Sequence, residues 1–142
     1  MSAIPITGET RVFGLVGHPV RHSLSPAMYN ALFDKFGIDA VYLAFDVRPE
    51  EADCVAEMIR VMGLVGVNLT VPFKERIMSG LDECTTAATE AGAVNVVTQI
   101  DGVLMGFNTD GEGFVRSLEE ENGPEPKGMH AVMLGAGGAA RH

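Results

Sequence analysis

The chain has 142 residues, 46% of them hydrophobic, and 17 glycines, enough for one domain with a buried core and in keeping with a loop-rich α/β protein. Its formal net charge of −9 and pI near 4.8 argue against nucleic acid and anionic membrane as partners. No apolar run approaches the roughly 18 residues of a membrane helix, and no basic stretch followed by an apolar one opens the chain as a secretory leader would.

Strands and helices alternate along the sequence. Residues 1–10 read as a tail and Val12 to Val16 as a first strand. Ser25-Pro26 marks a helix start, a capping hydroxyl followed by proline at the first helical position. Met28, Leu32 and Phe36 recur at spacing four with Phe33 beside them, and Gly37 ends the helix. Val41 to Val47 predicts a second strand. Pro49 opens a second helix with Glu50 and Glu51 in its first turn, where the dipole favours them. Val55, Ile59 and Met62 form its inward stripe, Gly63 stops it, and Leu64 to Leu69 is a third strand.

Two short helical pieces follow, Phe73 to Met78 and Thr85 to Ala91. Ala93 to Gln99 and Val103 to Phe107 predict a hairpin closed around Asp101-Gly102. Thr109 to Glu120 is a long helix with Phe114, Val115 and Leu118 inward. Residues 1–121 thus form one domain: a three-layer α/β sandwich, its mixed sheet mostly parallel with one antiparallel pair, and helices on both faces. Residues 122–128 have linker chemistry, with Gly, Pro and Lys interspersed. Residues 129–142 read as an apolar strand entering a G-x-G-x-x-A turn, the opening of a dinucleotide-binding unit.

Three polar loops carry the candidate chemistry. In the first, Gly17 to Pro26, Ser25 suffices as a helix cap, whereas Ser23 stands two residues earlier and has no such duty. Two hydroxyls at a helix start present donors suited to a carboxylate. His18 and His22 read as solvated loop residues. Cys54 and Cys84 are far apart and read as free thiols, and no metal is expected.

The second loop contains Asn68, Thr70, Pro72 and Lys74. If Pro72 opens a helix, Lys74 sits in its first turn, where a cation opposes the dipole; such a misfit suits a proton-exchanging lysine. A surface lysine paired with Glu75 or Glu83 is the plainer alternative. In the third loop Asn95 is an amide within an apolar strand, either a satisfied core group or a ligand for hydroxyls. Asp110 lies at a helix start, with Asn108 or Thr109 as cap. It either compensates the dipole or partners a lysine.

These segments together resemble the N-terminal, substrate-binding domain of the shikimate dehydrogenase family. The matching stretches are Gly17-His18-Pro19 through Ser25-Pro26, Asn68-Leu69-Thr70-Val71-Pro72-Phe73-Lys74, Gly92-Ala93-Val94-Asn95, Gly106-Phe107-Asn108-Thr109-Asp110-Gly111 and Gly135 to Arg141. The resemblance departs at Tyr29, where the family often has His, and at Leu69, where Val is more usual. It implies an NADP-dependent oxidoreductase of aromatic amino-acid biosynthesis, cytoplasmic, monomeric or homodimeric, that reduces 3-dehydroshikimate to shikimate. By the same resemblance Ser23 and Ser25 hold the substrate carboxylate. Asn68, Thr70, Lys74, Asn95 and Asp110 contact ring hydroxyls and the reacting oxygen, with Lys74 and Asp110 the catalytic pair. Gly135, Ala136, Gly137, Gly138 and Ala139 begin the NADP site. The family's second domain does not follow, so the chain alone is expected to be inactive. The alternatives are a quinate/shikimate or aminoshikimate dehydrogenase, or a shikimate-binding module or partner subunit without turnover.

Overall fold

A computed structural model of the chain describes residues 5–121 and, beyond them, 123, 127–130, 132 and 134. The expected linker and nucleotide segment therefore fall largely outside the described residues. Six strands form one sheet, in the spatial order β2-β1-β3-β5-β6-β4. They are β1 (Arg11–Gly17), β2 (Ala40–Asp46), β3 (Gly66–Leu69), β4 (Glu83–Cys84), β5 (Val96–Ile100) and β6 (Val103–Phe107). The α-helices are α1 (Ser25–Phe36), α2 (Val55–Val61), α3 (Thr86–Ala91) and α4 (Asp110–Glu120).

The predicted hairpin is present: Asp101 and Gly102 both have positive φ, 51° and 82°, as the favoured two-residue hairpin turn requires. β5 runs against every other strand, and so it pairs antiparallel with β3 as well as with β6. The remaining pairings, β1 with β2 and β3 and β4 with β6, are parallel. This arrangement positions the site. β1, β3 and β6 all end at the same edge of the sheet, and β5 begins there. All three polar loops therefore open at one edge, where ligands of open α/β sheets bind.

Both faces of the sheet are covered. On one, Val16, Val67, Leu69 and Val97 pack with Ile59, Phe73 and Ile77 in the main core. On the other, α1 lays Tyr29 and Phe33 over Phe13, Leu15 and Tyr42. Phe73, Ile59 and Leu104 are fully buried, each contributing about 1.5–3 kcal/mol of burial.

Several sequence expectations are corrected. In α1 the spacing-four residues Met28, Leu32 and Phe36 are exposed; Tyr29 and Phe33 face the sheet instead. Met62 is exposed, although Val55 and Ile59 are buried as predicted. Phe114 and Val115 of α4 are exposed, and no residue of that helix is buried. Apolar spacing identifies a stripe but not what lies beneath it. The helix predicted from Pro49 begins as a 3-10 segment, Pro49–Cys54, before α2. No helix opens at Pro72. Residues 71–75 form turns, and a 3-10 helix runs Arg76–Gly80.

Candidate active site

Lys74 lies in that turn, two residues before the 3-10 helix, so the argument from a helix dipole does not apply to it. Its place is set by the chain on both sides. Phe73 is fully buried, and the Lys74 carbonyl accepts the Val94 N–H at 2.8 Å. The ammonium is thereby aimed at α4, where Lys74 Nζ donates to Asp110 Oδ2 at 2.5 Å. The ion pair formed is Lys74–Asp110, with the two side chains 21% and 34% exposed. Partial burial strengthens such a pair relative to a solvated one while leaving it within reach of a ligand.

Asp110 is the first residue of α4. Its N–H donates to the Asn108 side chain at 3.0 Å, and Asn108 in turn donates to the Ala93 carbonyl. Of the two candidate caps, Asn108 is thus the one that accepts from the backbone. Asn95 is buried and holds the other carboxylate oxygen. Its Nδ2 donates to Asp110 Oδ1 at 2.7 Å and to Thr109 Oγ1 at 2.9 Å, and its Oδ1 accepts the Thr109 N–H at 3.0 Å. Both amide hydrogens of Asn95 are spent on the loop that carries Asp110. The structure thus shows Asn95 as a satisfied core amide, and one that also orients the Asp110 carboxylate.

The loop after β1 contributes Ser23 and Ser25. The helix begins at Ser25 with Leu24 as the capping residue and no side-chain cap there. Instead Ser23 Oγ accepts the Ser25 N–H at 3.2 Å, so Ser23 does the work expected of Ser25. A local turn brings it there, with Ser23 N–H donating to the Val20 carbonyl. Asn68 and Thr70 stand at the end of β3. Thr70 is held by its N–H to the Val16 carbonyl at 3.0 Å, and its methyl lies against Gly17, where an added Cβ would come within 2.3 Å of it. Asn68 accepts the Tyr42 hydroxyl at 2.7 Å.

His18, expected from the sequence to be a solvated loop residue, has a side-chain partner. Its Nδ1 lies 2.7 Å from Asp46 Oδ1, and Arg21 Nε lies 3.4 Å from Asp46 Oδ2. The usable signal was parallel pairing of the first two strands, which puts Asp46 beside Gly17. Gly135, Ala136, Gly137, Gly138 and Ala139 lie outside the described residues.

A profile of the shikimate dehydrogenase substrate binding domain matches residues 15–97, more than half of the chain. The chain belongs to that family. The NADP(+)-dependent shikimate dehydrogenase of Methanopyrus kandleri is 51% identical to this chain over 139 residues, 98% of the chain and 48% of that protein. A shikimate dehydrogenase structure from Peptoclostridium difficile superposes with a TM-score of 0.87 at 37% identity, covering 92% of this chain and 49% of that one. The Thermus thermophilus enzyme, solved in complex with NADP(H) and shikimate, does so with a TM-score of 0.82 at 41% identity, covering 92% and 49%. The domain spans about half the length of the curated relatives it matches. Among the described residues, no helix is long and apolar enough to cross a membrane.

Proposed function

We propose that this chain is the substrate-binding half of an NADP-dependent shikimate dehydrogenase that reduces 3-dehydroshikimate to shikimate in aromatic amino-acid biosynthesis. The observation that carries the reading is the part-buried Lys74–Asp110 pair, braced by Asn95 at the sheet edge where the polar loops open. Ser23 and Ser25 bind the substrate carboxylate. Asn68 and Thr70 bind ring hydroxyls, and Asn95 keeps one lone pair of its Oδ1 for a hydroxyl while it holds Asp110. We place the protein in the cytoplasm, as a monomer or homodimer.

The chemistry follows from the pair. When bound, NADPH would supply a hydride to the ketone carbon. The backbone amides of small residues such as Gly135, Ala136, Gly137, Gly138 and Ala139 suit its pyrophosphate. Negative charge then develops on the former ketone oxygen and must be stabilised and protonated as it forms. The Lys74 ammonium does both. Asp110 orients the ammonium through the hydrogen bond it accepts from Lys74.

The test compares the 142-residue chain with a protein in which it is joined to the nucleotide-binding half of a relative. The chain alone should bind shikimate weakly by calorimetry and show no turnover. The joined protein should oxidise shikimate with NADP. A joined, folded protein active on quinate but not on shikimate would replace the substrate assignment.

A further inference from the structure

We infer that Tyr42 is a positioning residue of the substrate site, setting which end of the Asn68 amide faces a bound ring oxygen. The inference rests on the shikimate reading of Asn68 given above. A side-chain amide presents a carbonyl acceptor on one side and an NH2 donor on the other, and the two exchange by rotation. Among the described residues the side-chain hydrogen bond of Asn68 is the one from Tyr42, at 2.7 Å.

The direction of that bond is decided by burial. Tyr42 is 3% exposed, and a buried phenol needs an acceptor for its hydrogen. Asn68 Oδ1 supplies it, which leaves Nδ2 as the free end. The same burial pushes the Tyr42 hydroxyl above its ordinary pKa, Tyr29 adding to the effect. Tyr42 therefore stays a neutral donor throughout the physiological range.

Tyr42 is itself held from two directions. Its ring stacks on Tyr29, centroids 4.5 Å apart and planes 11° from parallel. Its backbone is clamped by Asn30 of α1, whose Nδ2 donates to the Tyr42 carbonyl at 2.9 Å and whose Oδ1 accepts the Tyr42 N–H at 2.8 Å. β2 is an edge strand, and the Asn30 amide bonds its outer side as a further strand would. The hydroxyl then reaches across β1 to β3, beside a cavity of about 260 Å³ that Asn68 also lines. The result is a fixed pair of N–H donors near the end of β3, ready for an oxygen that accepts.

The experiment uses Tyr42→Phe, Asn68→Ala and the double variant. Tyr42→Phe keeps the ring, the stack and the Asn30 clamp, and removes one oxygen. Shikimate affinity by calorimetry should fall about 3- to 10-fold, the worth of one hydrogen bond, and should fall no further when Tyr42→Phe is added to Asn68→Ala. In the joined enzyme the loss should appear in KM with kcat little changed. Without any ligand, the Asn68 side-chain amide resonances should shift and exchange faster with water in Tyr42→Phe. Equal affinity of Tyr42→Phe and the parent, or additive losses in the double variant, would overturn the inference while leaving the shikimate reading intact. An unchanged Asn68 amide signal would overturn it whether or not shikimate binds. Absence of binding by the parent would instead overturn the shikimate reading, and with it the role proposed for Asn68.

Discussion

Lys74 and Ser23 separate chemistry from binding at the scale of single residues. In the joined enzyme Lys74→Ala should lower turnover by about 100- to 10,000-fold with little change in substrate affinity, because its ammonium acts on charge that exists only in the transition state. Ser23→Ala should weaken shikimate binding and lower turnover less, since a carboxylate contact is present in ground and transition states alike. Nicotinamide absorbance at several substrate concentrations separates the two. Near-normal turnover with poor binding in Lys74→Ala would make Lys74 a binding residue. The residue types at this site were legible in the sequence, but their partners were not. Lys74 and Asp110 are 36 positions apart, and local spacing offers Glu75 just as readily. Ser25 looks like the helix cap because Ser-Pro commonly opens helices; only the turn from Val20 to Ser23 puts the other hydroxyl there.

The elements meet at close quarters where β1 ends. Gly17 leaves no room for a side chain: an added Cβ would lie 2.3 Å from the Thr70 methyl and 2.6 Å from Val20. Gly17→Ala should therefore push the end of β3 away from β1 and weaken shikimate binding, with a lowered melting temperature. A crystal structure of the variant with Thr70 unmoved and affinity intact would refute this. At this scale strands and their order along the chain were legible because apolar runs bounded by glycine and proline mark them. The two-residue β4 was not, being too short for any period. The turn at residues 71–75 was not either. Proline there reads as a helix start, whereas the chain turns through a bond from Phe73 N–H to the Thr70 carbonyl and buries Phe73.

At the scale of the whole molecule, the edge away from the site is tied by Asp82. Its Oδ2 accepts the Leu104 N–H at 2.8 Å and Arg60 at 2.7 Å. These bonds, the backbone one foremost and the Arg60 one next, hold its carboxyl below the ordinary value of 3.8. An acid depressed in the fold stabilises it fully above that ordinary value and stops doing so as pH falls through the lower folded value. The melting temperature should therefore drop as the solution is acidified below 3.8. Asp82→Asn should start lower at neutral pH and drop less steeply. An equally steep drop in the variant, followed by circular dichroism, would assign the acid sensitivity to other carboxylates. The reversed strand has a practical consequence. Because β5 sets out from the site edge, its turn at Asp101-Gly102 comes out at the far end of the sheet, as does Gly63 after α2. The molecule thus has a working end and an idle one. A dye, an affinity tag or a surface tether attached at the idle end would report on the working end without standing in the way of what enters it.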